Sequence, residues 1–115
     1  MEVYLDGVQQ QDDNLGNWGL VSNFQTSIGL MVIALKCIDA GGQYGLLASL
    51  ENKEEETILL TDTNWKCSSV HEEGWKLPGF EDSSGNWQRA SKIADHGAHP
   101  WGYRGAISHD ADWIW

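Results

Sequence analysis

Basic residues are scarce in this chain: seven Lys and Arg stand against seventeen Asp and Glu, for a formal charge of −10. That balance would repel nucleic acid and anionic membranes, so neither is expected as a partner. Long apolar runs are missing too. The longest, Leu30–Leu35, is far too short to cross a bilayer, and no membrane insertion is expected. Met1 leads straight into the strand-like EVYLDG, with no basic n-region or apolar h-region. No signal peptide is visible, which fits a mature product expressed from an added Met as well as a cytosolic protein. None of the six asparagines sits in an N-x-Ser/Thr sequon, so no glycan acceptor is offered.

Cysteine is nearly absent. Cys37 and Cys67 form no C-x-x-C pair, and two cysteines cannot close a zinc site. A bridge between them would close a loop of about thirty residues and stabilise by roughly 3–4 kcal/mol on the chain-entropy model. Two buried thiols are the alternative, and spacing leaves both open. Catalytic signatures are lacking as well. There is no G-x-S-x-G elbow, no phosphate loop and no H-E-x-x-H, and His109 stands alone. Carboxylates are plentiful, but no pair at glycosidase separation is legible, so a non-catalytic protein is expected.

What is present points to a single all-β domain over residues 1–115. Thr61–Trp87 spaces Trp65, Trp75 and Trp87 through polar residues, glycine and one proline, a spacing that excludes an amphipathic helix. Such a segment reads as a structured loop pinned by aromatic anchors. Glu2–Gln10 predicts a hairpin turning at Asp6-Gly7, a strong type I′ signal. Leu20–Gln25 predicts a half-buried strand, and Leu30–Ile38, bounded by glycines, a central strand. Asp39–Tyr44 is a glycine loop, followed by strands at Gly45–Leu50 and Thr57–Leu60 around a solvated ENKEEE turn. Gln88–Ala94 fits one helical turn or an edge strand, and Asp95–Gly105 is a second irregular loop rich in rings. Ala106–Ser108 and Ala111–Trp115 close the chain, with Trp113 and Trp115 on one side of a strand and Ile114 on the other. About seven or eight short strands with regular turn signals indicate an antiparallel β-sandwich.

The order of motifs resembles the galactose-binding-like jelly rolls over nearly the whole chain. It runs YLDGV, N-W-G, VIALKC, GLLASL, TDTNWKCSS, GW, FEDSSGNW, HPWG and the closing ADWIW. Similar jelly rolls serve as carbohydrate-binding and accessory domains in secreted and cell-surface proteins, including invertebrate lectin-like proteins. The resemblance therefore implies secretion and a Cys37–Cys67 disulfide, and it casts Trp65, Trp87, Trp113 and Trp115 as framework. It also exposes a departure: the family strand that precedes the one matching Val3–Leu5 is missing here. The result would be a fragment or a sheet edge that a second copy could cover, giving a homodimer or higher homo-oligomer.

Trp18, Trp75, Trp101 and Tyr103 sit in glycine-bearing loops, where exposure is expected. A sugar stacks its C–H face on an aromatic ring and offers its hydroxyls to carboxylate, amide or guanidinium partners. Two loops have that mixture: Asp12, Asp13, Asn14, Asn17 and Trp18, and Asp95, His96, His99, Trp101, Tyr103 and Arg104. Loop packing is the rival role for each of them. Asp95, His96 and His99 also offer three ligands within five residues, but Gly97 and Pro100 imply a kinked loop with hydrogen-bonded or solvent-facing imidazoles. Asp12, Asp13 and Asn14 lack the D-x-D-x-D-G spacing; calcium enters only because the jelly-roll class holds such sites. The expectation is a lectin that recognises glycans without chemistry. Its alternatives are a structural or protein-interaction module of a larger secreted chain, or an accessory domain of a glycoside-processing enzyme.

Overall fold

The computed structural model describes residues 1–17, 19–26, 29, 32–38, 41 and 44–115. Among them the protein is all-β, with nine short strands, antiparallel pairing throughout and no helix. Among the described residues, no helix is long and apolar enough to cross a membrane. The chain gathers into two compact units, Met1–Ala40 with Ser69–Asn86, and Gly41–Ser68 with Trp87–Trp115. The Thr61–Trp87 stretch is thus divided between them.

In the first unit, β1 (Glu2–Leu5) lies between β2 (Val8–Gln10) and β3 (Ile33–Lys36). The hairpin turns as its sequence predicts: Asp6 and Gly7 both have positive φ, 48° and 84°, the signature of a type I′ turn. The Asp6 amide donates to the Val32 carbonyl, and its carboxylate accepts from the Val32 amide at 2.8 Å, which extends the β1–β3 ladder past its last pair. Two expectations fail here. Among the described residues, the strand from the Leu30–Ile38 run lies at the side of the sheet and β1 at its centre, so Val3–Leu5 is not itself an edge strand. Leu30 and Met31 lie outside the described residues, as do Asp39 and Gly42 of the glycine loop.

As a central strand, β1 is covered on both faces: Val3 is buried on one and Tyr4 on the other. Trp75 meets the Tyr4 ring edge-on at 5.7 Å, and the Lys76 ammonium sits 4.3 Å from the same ring centroid. Such an aromatic pair contributes about 0.5–1.5 kcal/mol beyond area burial. The Tyr4 hydroxyl donates to Glu2, and this bond, then burial and the carboxylate's charge, raise the phenol above its usual pKa. Leu77 occupies the space where a Cβ on Gly7 would stand. Only glycine meets both demands there, the left-handed backbone and the close approach.

The second unit is built from three two-stranded sheets. They are β4 (Ser49–Glu51) with β5 (Thr57–Leu60), β6 (Lys66–Cys67) with β7 (Gln88–Arg89), and β8 (Lys92–Asp95) with β9 (Asp112–Ile114). Gln88–Ala94 therefore supplies two strands where one helical turn or one edge strand was expected. The ENKEEE turn forms as expected: the Asn52 side-chain oxygen accepts from the Glu54 and Glu56 amides, and Glu55 takes φ 61°. Thr61 is 0% exposed and joins three segments. Its hydroxyl donates to the Asp112 carbonyl at 2.7 Å and accepts from the Ala48 amide, while its own backbone bonds both segments.

A reciprocal pair of backbone hydrogen bonds between Leu46 and Ile114 adds the Gly45–Leu50 segment to β9. Trp113 and Ile114 are both buried, so β9 has no solvent face. The core here gathers Leu47, Trp101, Ala111 and Trp113, with Leu60, Ala94 and Ile107 packed against it. Trp65 donates its indole N–H to the Leu60 carbonyl, and Trp115 packs on Tyr44, which suits framework roles for both.

No disulfide is formed among the described residues, and the two cysteines that the resemblance pairs, Cys37 and Cys67, belong to different units. Cys67 lies on an exposed residue, but partial burial of its sulfur raises the thiol pKa. A raised pKa depletes the thiolate, the species that forms disulfides.

A ring cluster on the β8–β9 loop

The polar loop after β2 turns its side chains on itself. Asp12 accepts from the Asn14 amide at 2.7 Å with one oxygen and from the Asn23 amide at 3.3 Å with the other. Asn14 reaches the Val21 carbonyl, and Asn17 accepts from the Gly19 amide. The Asp12–Asn14 and Asn17–Gly19 bonds are turn-forming bonds of the Asx kind, which give the backbone an alternative to a ladder. Leu20–Gln25 is irregular and not the predicted strand, and within it the Asn23 amide donates to an Asp12 oxygen instead of a strand partner. Asp13 is exposed, and Trp18 lies outside the described residues. Trp75 belongs to the first unit and is half-buried on Tyr4.

The second loop joins β8 to β9 and is organised quite differently. Trp101 is only 8% exposed and stacks on Trp113 at 4.8 Å with 24° between the planes. The exposure expected for Trp101 is therefore wrong, and the indole is an anchor of the core. Gly97, Pro100 and Gly102 suggested an outward loop, but an indole with a flat partner on β9 gains more by burial.

His96 directly follows β8 and is 6% exposed. The Arg104 amide donates to His96 Nε2 at 2.8 Å, and Nδ1 lies 2.9 Å from the Ser108 carbonyl. A backbone N–H can only donate and a carbonyl can only accept, so the ring is neutral with its hydrogen on Nδ1. Both nitrogens are committed to backbone, and neither is available to a metal or a ligand. Among the described residues, no group of three His, Cys, Asp or Glu side chains is placed to hold a metal ion.

Tyr103 and His109 complete a three-ring cluster. His96 lies 5.4 Å from Tyr103 and 5.3 Å from His109, edge-on to the latter, and Tyr103 lies 5.2 Å from His109. Tyr103 is nevertheless 65% exposed, so it is supported from beneath and open above. Its ring covers Gly97, whose φ is +94°, and a Cβ there would fall inside the phenol. Arg104 is half-buried and donates from Nη1 to the Tyr103 carbonyl. His99 is exposed. Asp95 is exposed but engaged by Lys92, which also bonds Asp112 at 2.9 Å. The hydrogen bonds to Asp95 and then Asp112 raise the Lys92 pKa, and desolvation offsets them only in part.

Among the residues singled out from sequence, the structure thus joins His96, Tyr103 and Arg104, buries Trp101, and leaves His99 exposed. It adds His109, which sequence reading set aside because nothing near it along the chain suggested partners. The arrangement offers an aromatic face flanked by imidazole and guanidinium groups. Comparison with protein-family models, curated proteins and solved structures finds no match for this chain.

Proposed function

We propose that this chain is a non-catalytic carbohydrate-binding protein whose contact surface centres on Tyr103. The observation that carries this reading is a phenol ring 65% exposed yet fixed below by His96 and Gly97. A large ring held open to solvent in this way suits stacking against the C–H face of a sugar. His109, His99 and Arg104 lie on the same loop and supply groups for hydroxyls. The all-β, antiparallel architecture is consistent with a β-sandwich; the galactose-binding-like jelly roll and secretion enter this reading through the sequence resemblance alone. One such site would bind weakly, so a homo-oligomer would raise avidity. Calcium belongs to this reading only as a dependence to be measured.

A second reading, a structural or protein-interaction module, draws on the burial of Trp101 and Trp113 and on the exposed Ile58 and Leu59 of β5. A glycan array run with and without calcium separates the two. Binding that a free monosaccharide blocks supports the lectin, and a blank array under both conditions refutes it.

A further inference from the structure

We infer that His96 is a pH-operated latch on the loop that carries Tyr103. Its bearing on ligand rests on the glycan reading above, but the latch itself does not. The imidazole ties the end of β8 to two distant points, the Arg104 amide and the Ser108 carbonyl. It holds them only while Nε2 is a bare acceptor. Protonation places a hydrogen on Nε2 and turns it toward the Arg104 N–H, donor against donor, at a residue 6% exposed. Nδ1 keeps its bond to Ser108, so turning the ring over gives no escape: both edges of imidazolium are donors. The conflict ends when the Arg104 amide moves away, and the adjoining Tyr103 moves with it. Histidine is the side chain that turns one nitrogen from acceptor to donor by taking up a proton.

The charged and titratable neighbours favour release or stand aside. His109 touches the ring edge-on and carries like charge once protonated. Tyr103 offers a phenol ring. The Arg104 guanidinium is turned to the Tyr103 carbonyl, and Asp95, next along the chain, is engaged by Lys92. Both ring nitrogens meet backbone groups, and among the described residues no carboxylate bonds either of them.

Amide hydrogen exchange read by NMR tests the latch on the intact chain without any ligand. Between about pH 7.5 and about pH 5.5, the protection factor of the Arg104 amide should fall roughly tenfold or more, the scale of one lost buried hydrogen bond. The Ile114 amide, bonded to Leu46 in the same unit, should hold its protection. In His109→Gln the Arg104 response should persist, and in His96→Gln it should vanish. Should His96→Gln fail to fold, the wild type and His109→Gln decide alone. An Arg104 protection factor that stays constant overturns the latch, as does one that falls in step with Ile114. On the glycan array, signal lost at the lower pH supports control of binding, and signal unchanged by pH overturns it. A blank array at both pH values, alongside the Arg104 response, overturns the glycan reading and leaves the latch standing.

Discussion

Residues 12–23 and residues 95–109 have similar ingredients, acidic and imidazole or amide groups in glycine-bearing loops with an aromatic residue, and they use them in opposite ways. In the first loop most of the polar side chains bond to the loop's own backbone. Both oxygens of Asp12 accept backbone amides, and Asn14 and Asn17 bond carbonyl and amide groups of the same loop. In the second, a single buried imidazole does the backbone work, and Trp101 fixes the loop to the core. Tyr103, His99 and His109 are thereby left facing solvent. A loop that staples itself with many side chains has few left to offer a ligand. One anchored by a buried ring and a buried stack can present its remaining groups.

The sharpest way to break this comparison is Trp101→Ala. Removing a buried indole and its stacked contact should cost about 3–5 kcal/mol, read as a drop in the urea midpoint. A near-unchanged midpoint would return Trp101 to the surface and dissolve the contrast. Asp12→Ala should cost less, about 1–2 kcal/mol, because its two backbone bonds are half-exposed and water replaces them in part. A loss as large as that of Trp101→Ala would mean the first loop is also built into a core.

The smallest effect concerns the rim of the second loop. Lys92 has a folded-state pKa raised by Asp95 and Asp112. Its contribution is therefore fully present below the ordinary lysine pKa and is lost as pH rises through the higher folded value. Urea midpoints measured across the alkaline range should show this decline in wild type and not in Lys92→Gln. An identical decline in both would assign it to other groups.

Much of the local structure was legible because short-range chemistry dictates it. Asp6-Gly7 requires a primed turn, and Asn52 caps the turn between β4 and β5. What sequence alone misplaced depends on long-range pairing. The apolar Leu30–Ile38 run reads as central, but β1 takes that place because β2 and β3 both pair with it. Leu20–Gln25 alternates like a strand, and a carboxylate far back along the chain holds one of its amides instead. Trp101 looked exposed among glycine, histidine and proline; its burial depends on β9 returning Trp113 beside it. His109 had no nearby partner in sequence and meets His96 and Tyr103 only when the loop folds back. The candidate loop could thus be read from composition, but not which of its rings faces solvent.

The central claim is that Tyr103 is a contact residue supported by the loop and not a support for it. Glycan-array binding of wild type and Tyr103→Ala, with melting temperatures measured beforehand, tests this most directly. Most of the ring is in solvent, but it packs on His96 and His109, so the variant should lose about 1 kcal/mol of stability and remain folded under the assay conditions. The account predicts a bound glycan for wild type and loss of that signal for the variant. Equal binding by both proteins, or a large loss of stability in Tyr103→Ala, would contradict it.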